Sequence, residues 1–204
     1  MTDCLNSADV VIAMDSSGSI DYPNFDMMKT FVSDLVVELD IDQDTIRLGL
    51  VTFADSVQPR FDLTRYRTRD DIRAALANIS YTTGTTNTAD AISYVRTNLL
   101  NGSNGDRSSA PDLLIILTDG GSNNKMLTLD EAELAKKAGI HVMAIGIGNW
   151  VDVYELNAMS SYPYSNNIIT VNRFSDLTSI KLQLRNMICE SETTNHNYQF
   201  IQLF

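Results

Sequence analysis

The chain has 204 residues, 44% of them apolar and 20% charged, a balance that suits one globular domain with a sizeable core and excludes a disordered or collagen-like chain. Fifteen Lys and Arg against 26 Asp and Glu give a formal charge of −11, so Coulomb repulsion disfavours nucleic acid and anionic lipid surfaces as partners. No run of 18 apolar residues occurs and Met1 is followed by Thr2-Asp3-Cys4, so neither membrane insertion nor an export signal is expected, and the start reads as that of an excised domain whose targeting information lies elsewhere.

In chain order, Cys4 precedes a first apolar run, Asp9 to Met14, that is continuous rather than alternating, as in a strand buried on both faces of a parallel sheet. Asp15-Ser16-Ser17-Gly18-Ser19 follows it, then a helix with Pro23 in its first turn and Phe25, Met28, Val32, Leu35, Val36 and Leu39 along one stripe. Ile46 to Phe53 is a second core strand and Val57 to Leu63 an edge strand. Thr83-Gly84-Thr85-Thr86-Asn87-Thr88 opens a helix bearing Ile92, Val95 and Leu99, and the turn-rich stretch Asn101 to Asp106 leads to a third core strand, Leu113 to Leu117, that ends Thr118-Asp119-Gly120. Thr128-x-x-Glu131 predicts a capping box ahead of Ala132, Ala135 and Ala138. His141 to Ile147 is a fourth core strand and Ile168 to Val171 another edge. Ser175 is the expected N-cap of a last helix carrying Leu177, Ile180, Leu184, Met187 and Ile188. Strands alternating with helices predict an α/β fold, a doubly wound, mostly parallel central sheet flanked by helices, in a single domain over 1–190. Residues 191–204 form a C-terminal extension for which a flexible tail, an added strand and a partner-binding peptide all stay open.

In such a sheet ligands bind at the carboxyl ends of the strands. Asp15 and Asp119 both follow core strands, Ser17 and Ser19 stand at alternate positions beyond Asp15, and the Thr83–Thr88 stretch brings further hydroxyls to the same edge. Carboxylates and hydroxyls without Cys or His make a hard oxygen site suited to Mg²⁺ or a related ion. Neutral hydroxyl ligands leave such an ion electrophilic enough to attract an acidic group from outside. Cys4 and Cys189 are either two buried thiols or one bridge; strand starts and helix ends share the opposite edge, so the two can meet there.

Asp15-x-Ser17-x-Ser19 after an apolar strand, Thr86-Asn87-Thr88 at a helix start and Thr118-Asp119-Gly120 after another strand resemble the metal-ion-dependent adhesion site of von Willebrand factor type A domains, in order and context from Asp9 to Cys189. The resemblance implies a Rossmann-like sheet and Mg²⁺, Mn²⁺ or Ca²⁺ as cofactor. Ser17 and Ser19 would then bind the metal directly, Thr86 directly or through water, and Asp15 and Asp119 mostly through water. The glycine-rich stretch usual before the Thr86 motif is reduced to Gly84. Cys4 and Cys189 resemble the end-to-end bridge of some extracellular members. The resemblance therefore implies a secreted, non-enzymatic matrix module that takes an acidic residue of a matrix protein, collagen for example, with self-association as a further partner. The alternative is a structural matrix module with its metal site idle.

Tyr22, Asp55, Trp150 and the loop containing Gly121 and Ser122 are expected to rim the metal. Trp150 would pack under its loop, or anchor an interface if exposed. Asn78-Ile-Ser80 and Asn101-Gly-Ser103 make Asn78 and Asn101 candidate glycosylation acceptors. Asp40-x-Asp42-x-Asp44 lacks the glycine and glutamate of a calcium loop and reads as a solvated turn. Gly146-Ile-Gly148 lacks the third glycine of a dinucleotide fingerprint. No serine has a placed base, since His141 opens a strand at the wrong edge and His196 lies in the extension, which argues against hydrolase chemistry.

Overall fold

The computed structural model describes residues 6–190. Its single sheet contains β1 (Ala8–Asp15), β2 (Ile46–Phe53), β3 (Val57–Phe61), β4 (Asp112–Thr118), β5 (His141–Ile147) and β6 (Ile168–Val171). They lie in the order β3-β2-β1-β4-β5-β6. All pairings are parallel except that of β3, which runs antiparallel to β2. The expected doubly wound, mostly parallel sheet is therefore the observed one. β3 stops at Phe61, short of the expected Leu63, and holds Pro59, which an edge strand tolerates because one side of its ladder is unpaired.

The helices are α1 (Tyr22–Glu38), α2 (Arg69–Ala77), α3 (Thr88–Tyr94), α4 (Lys125–Lys137), α5 (Val153–Met159) and α6 (Lys181–Glu190). α3 runs on as a wider π-type turn over Val95–Leu99. Strand side chains alternate between two apolar layers. Val10, Ile12 and Met14 of β1 join Phe25, Met28 and Leu35 of α1, Ile72 of α2 and Leu184 of α6. Val11 and Ala13 join Ile92 and Val95, Ala132 and Ala135 of α4, and Leu156 of α5. Every residue of β1 is buried, which is why its sequence reads as an unbroken apolar run.

Helix boundaries depart from the sequence reading in places. Asn124 caps α4 by accepting from Leu127 N at 3.1 Å. That helix therefore starts at Lys125, and Thr128, expected as the cap, lies buried one turn inside. Ser175 is not an N-cap either: a tighter 3₁₀ turn spans Phe174–Ile180, held by Arg173 against Asp176 at 3.0 Å, before α6 begins. The short helices α2 and α5, absent from the sequence reading, bury few apolar side chains: Ile72 and Leu76 in α2, Leu156 and Met159 in α5.

The Asp40–Asp44 turn is not merely solvated. Asp44 takes Arg47 at 2.8 Å and Arg67 at 2.6 Å, Asp42 takes Arg69 at 3.0 Å, and the Arg47 hydrogen bond holds the Asp44 carboxyl down at about 2. Cys189, in α6, is disulfide-bonded and packs against the α1 layer. Cys4 and the extension 191–204 lie outside the described residues.

Candidate metal centre

The strand order reverses direction between β1 and β4, the switch point at whose carboxyl edge open α/β sheets bind their ligands. Asp15 ends β1 and Asp119 directly follows β4. The Asp15 carboxylate is fully buried. Its Oδ1 accepts from Ser17 N at 2.8 Å and its Oδ2 from Thr118 Oγ1 at 2.8 Å. Ser17 Oγ stands 3.1 Å from Ser19 Oγ, and Ser19 Oγ donates to Asp119 Oδ1 at 2.8 Å. The hydroxyls of Ser17 and Ser19 and the carboxylate of Asp119, a hundred residues further along the chain, thus form one line of oxygen contacts, with Asp15 joined to it through the Ser17 amide.

Thr86 joins through its backbone. Its carbonyl accepts from Asn123 N at 2.9 Å, which ties the Thr86 loop to the loop after β4. Its hydroxyl hydrogen-bonds to none of the other four side chains. Asn87 caps α3 by accepting from Asp90 N at 3.3 Å, so the helix starts where the Thr86-Asn87-Thr88 stretch suggests.

Burial, with a smaller push from the charge of Asp119, raises the Asp15 carboxyl to about 6 despite the hydrogen bonds from Ser17 and Thr118. Asp119 is itself pushed up, first by burial and then also by the charge of Asp21. The charged groups acting on Asp15 and Asp119 are therefore further carboxylates. A set of hydroxyl and carboxylate oxygens gathered with net negative charge fits a hard dication, which would supply the missing positive charge. When bound, such an ion offers an open Lewis-acidic position to an incoming carboxylate.

The supporting residues are less visible in the sequence. Tyr81 donates from its hydroxyl to Ser17 O at 2.9 Å, and Ser16 Oγ lies 2.6 Å from Thr82 Oγ1. Gly18 N donates to Gly84 O at 2.9 Å. Glu155, on α5, is 5% exposed and accepts from Ser122 N. Thr118 has one legible signal, a hydroxyl at the end of an apolar run beside Asp119; Tyr81 and Glu155 have none.

The rim residues take different places. Tyr22 is exposed and stands edge-on to Tyr81, with ring centroids 6.5 Å apart. Asp55 is not a free rim carboxylate, because its Oδ1 accepts from Thr85 N at 2.7 Å and Thr85 Oγ1 at 2.8 Å, which also lowers its pKa. Gly84, at φ +144°, makes that approach possible, since a Cβ there would meet the Asp55 carboxylate at 2.7 Å. Gly121 is exposed and Ser122 half-buried. Trp150 does not pack under its loop: it is 89% exposed, as is Tyr154. Asn78 caps α2 and, like Asn101, is exposed.

A second acidic group sits at the opposite edge, where β1 and β4 begin. Oxygens of Asp9, Asp106 and Asp112 lie within 4.8 Å of one another. Here the protein supplies its own cation: Arg107 pairs with the fully buried Asp9 at 2.8 Å and also donates to the carbonyls of Ala8, Asp44 and Thr45.

The sequence model of one family, described as the von Willebrand factor type A domain, matches residues 9–183. Human matrilin-1 is 34% identical over 187 residues, covering 92% of this chain and 37% of its own length. The mouse collagen alpha-4(VI) chain is 31% identical over 186 residues, covering 90% of this chain and 8% of its own. The chain thus spans well under half of either relative. Among solved structures, the mussel byssus proximal thread matrix protein 1 with a zinc-occupied metal-ion-dependent adhesion motif superposes with a TM-score of 0.85 at 29% identity, covering 92% of this chain and 49% of that one. Manganese-loaded TRAP protein of Plasmodium vivax, at 22% identity, TM-score 0.71, and coverage of 86% of this chain and 72% of that one, shows the shared fold alone.

Proposed function

Because the chain belongs to the von Willebrand factor type A domain family, we propose that it is an extracellular, non-catalytic recognition module whose Asp15, Ser17, Ser19, Thr86 and Asp119 hold a divalent cation for an acidic residue of a matrix protein, collagen being the first candidate. The observation that carries this reading is the uncompensated charge at the switch point: two buried or half-buried carboxylates and two hydroxyls in line, with only like charges acting on the carboxylates. Mg²⁺ is the expected ion, with Mn²⁺ and Ca²⁺ as substitutes of the same hard-oxygen preference.

The chain's own part is positional. Ser17 and Ser19 present neutral oxygens, so a bound cation keeps charge to spare for a ligand carboxylate. Asp15 is pinned from both sides by Ser17 N and Thr118 Oγ1, which directs its oxygens without consuming all their lone pairs. Relatives named as matrilin and collagen chains support a secreted matrix protein and matrix partners. Among the described residues no helix is long and apolar enough to cross a membrane. The disulfide of Cys189 supports an oxidising compartment and, with Cys4 as the other cysteine of the chain, a Cys4–Cys189 bridge at the edge opposite the metal.

The test is solid-phase binding of the whole chain to immobilised fibrillar collagen in about 1 mM Mg²⁺, the upper end of the dissociation constants of extracellular cation-binding modules. Loss of binding both in EDTA and in Asp119→Ala supports the reading. Metal-independent binding that survives Asp119→Ala would instead make the domain a structural module with an idle site.

A further inference from the structure

We propose that Glu155 is a positioning residue for the metal centre: by holding the Ser122 amide it sets the loop that carries Asp119 and the contact that ties in Thr86. This inference rests on the metal-site reading and adds a residue outside the three motif stretches.

Glu155 lies in the first turn of α5. Its carboxylate is 5% exposed, yet among the described residues no arginine or lysine bonds to it. Both its oxygens reach Ser122 N, at 3.2 and 3.1 Å. The charge of Lys125 lies near enough to interact with it. Capping does not explain its place, because Asp152 already caps α5 by accepting from Tyr154 N at 3.0 Å and Glu155 N at 3.1 Å. The same Asp152 pairs with Lys125 at the start of α4, so α5 grips both ends of the short segment after Gly121. Gly121 leaves room for the grip, since a Cβ there would come within 3.2 Å of Glu155 Oε2.

The neighbouring residue faces the other way. Asn123 N donates to Thr86 O at 2.9 Å, and Asn123 Nδ2 reaches Thr85 Oγ1 at 3.3 Å. Successive amides therefore fasten the loop to α5 on one side and to the Thr86 loop on the other. Ser122 Oγ is buried without a hydrogen-bond partner, so the backbone amide, not the hydroxyl, makes the attachment to Glu155. Releasing Ser122 N would free Asp119, three residues upstream, and the Thr86 carbonyl contact together.

Mn²⁺ affinity of the whole chain, Ser122 amide exchange in EDTA and the metal-free melting temperature are measured for wild type, Glu155→Ala, Glu155→Asp and Glu155→Gln. Loss of a group bonded directly to a metal ligand weakens affinity by roughly 10–100-fold; Glu155 acts one step further out, through the Ser122 backbone, so Glu155→Ala is expected at the lower end, binding Mn²⁺ about tenfold more weakly with faster Ser122 exchange. Glu155→Asp, too short to reach, behaves alike and carries the test if the alanine variant does not fold. Glu155→Gln, which keeps an acceptor oxygen, restores affinity to within about threefold. A fall in melting temperature with unchanged Mn²⁺ affinity would overturn the inference, and so would Glu155→Gln binding as weakly as Glu155→Ala, which would make the effect one of charge. Asp119→Ala separates the two levels. If wild type binds Mn²⁺, Asp119→Ala does not, and every Glu155 variant binds like wild type, the positioning role alone falls; if wild type takes no Mn²⁺, the metal reading falls with it.

Discussion

Replacing Asp15 by Asn should stabilise the metal-free domain while abolishing its metal binding. The Asp15 side chain is fully buried and its carboxyl is pushed up from 3.8 to about 6. A folded-state value above the ordinary one means that the folded chain holds the proton more tightly than the unfolded chain. The metal-free fold is thus favoured below about pH 4 and loses that advantage as pH rises through about 6. At about 1.4 kcal/mol per pH unit, holding Asp15 ionised at pH 7.5 costs about 3 kcal/mol. Asn removes the charge and keeps the contacts: its oxygen still accepts from Ser17 N, and its amide can donate to Thr118 Oγ1, whose hydroxyl has Gly120 O at 3.2 Å as an alternative acceptor. For a domain of this size, each kcal/mol moves the melting temperature by roughly 2–4 °C. In EDTA at pH 7.5 the variant should therefore melt about 6–12 °C above wild type, a gap that closes near pH 4. In Mg²⁺ at 100 times the dissociation constant, wild type gains about 2.7 kcal/mol and the variant nothing. An Asp15→Asn domain that melts below wild type in EDTA at pH 7.5, or whose advantage is as large at pH 4, would refute the reasoning.

Gly84→Ala forces a side chain into a left-handed backbone and against the Asp55 carboxylate; melting should fall by a strain of about 1–3 kcal/mol, and Mn²⁺ titration should show weakened affinity as the Thr85–Thr86 loop shifts. Arg107→Ala leaves the buried Asp9 charge without its cation, so thermal melts should lose about 3–5 kcal/mol while Mn²⁺ affinity at the other edge of the sheet is unchanged. Burial, and then the charge of Asp106, push the Asp112 carboxyl up to about 7, so wild-type stability should drop as pH rises through about 7, and urea melts of Asp112→Asn across pH 5 to 8 should show a flatter profile.

The sheet is legible in the sequence because a doubly covered parallel strand has no polar face to disguise: β1, β2, β4 and β5 appear as unbroken apolar runs. The ligand loops are legible for a related reason, since Asp15 and Asp119 stand where those runs stop. Helix starts are less so. Thr128 and Glu131 have the spacing of a capping box, yet the cap is Asn124, because a helix placed there still buries Ala132 and Ala135 against β4 and β5 and gains one more turn. α2 leaves little trace because it buries only Ile72 and Leu76 among charged neighbours. Size alone would put Trp150 under its loop, but Val151 fills the space over Gly146 and leaves the indole in solvent. Tyr81 and Glu155 act through hydrogen bonds to backbone groups on distant loops. Such contacts depend on how loops converge and leave no periodic trace in the chain.

The two edges of the sheet treat buried negative charge in opposite ways, and that contrast locates the function. At the amino edge, Asp9 has no exposed surface and the chain brings Arg107 onto it, with the rest of that guanidinium spent on three backbone carbonyls. A protein that could place an arginine there could place one at the carboxyl edge. Instead, Asp15 and Asp119 meet hydroxyls and further carboxylates, and burial raises both. Retained without a partner from the chain, a buried charge is a standing cost to stability. The cost makes physical sense where the compensating charge comes from outside, because a site already neutralised by an arginine has neither affinity for a dication nor an electrophilic position to offer a ligand. On the proposed reading, the stability gained by Asp15→Asn in EDTA would measure how far the need to bind has held this domain from its own optimum.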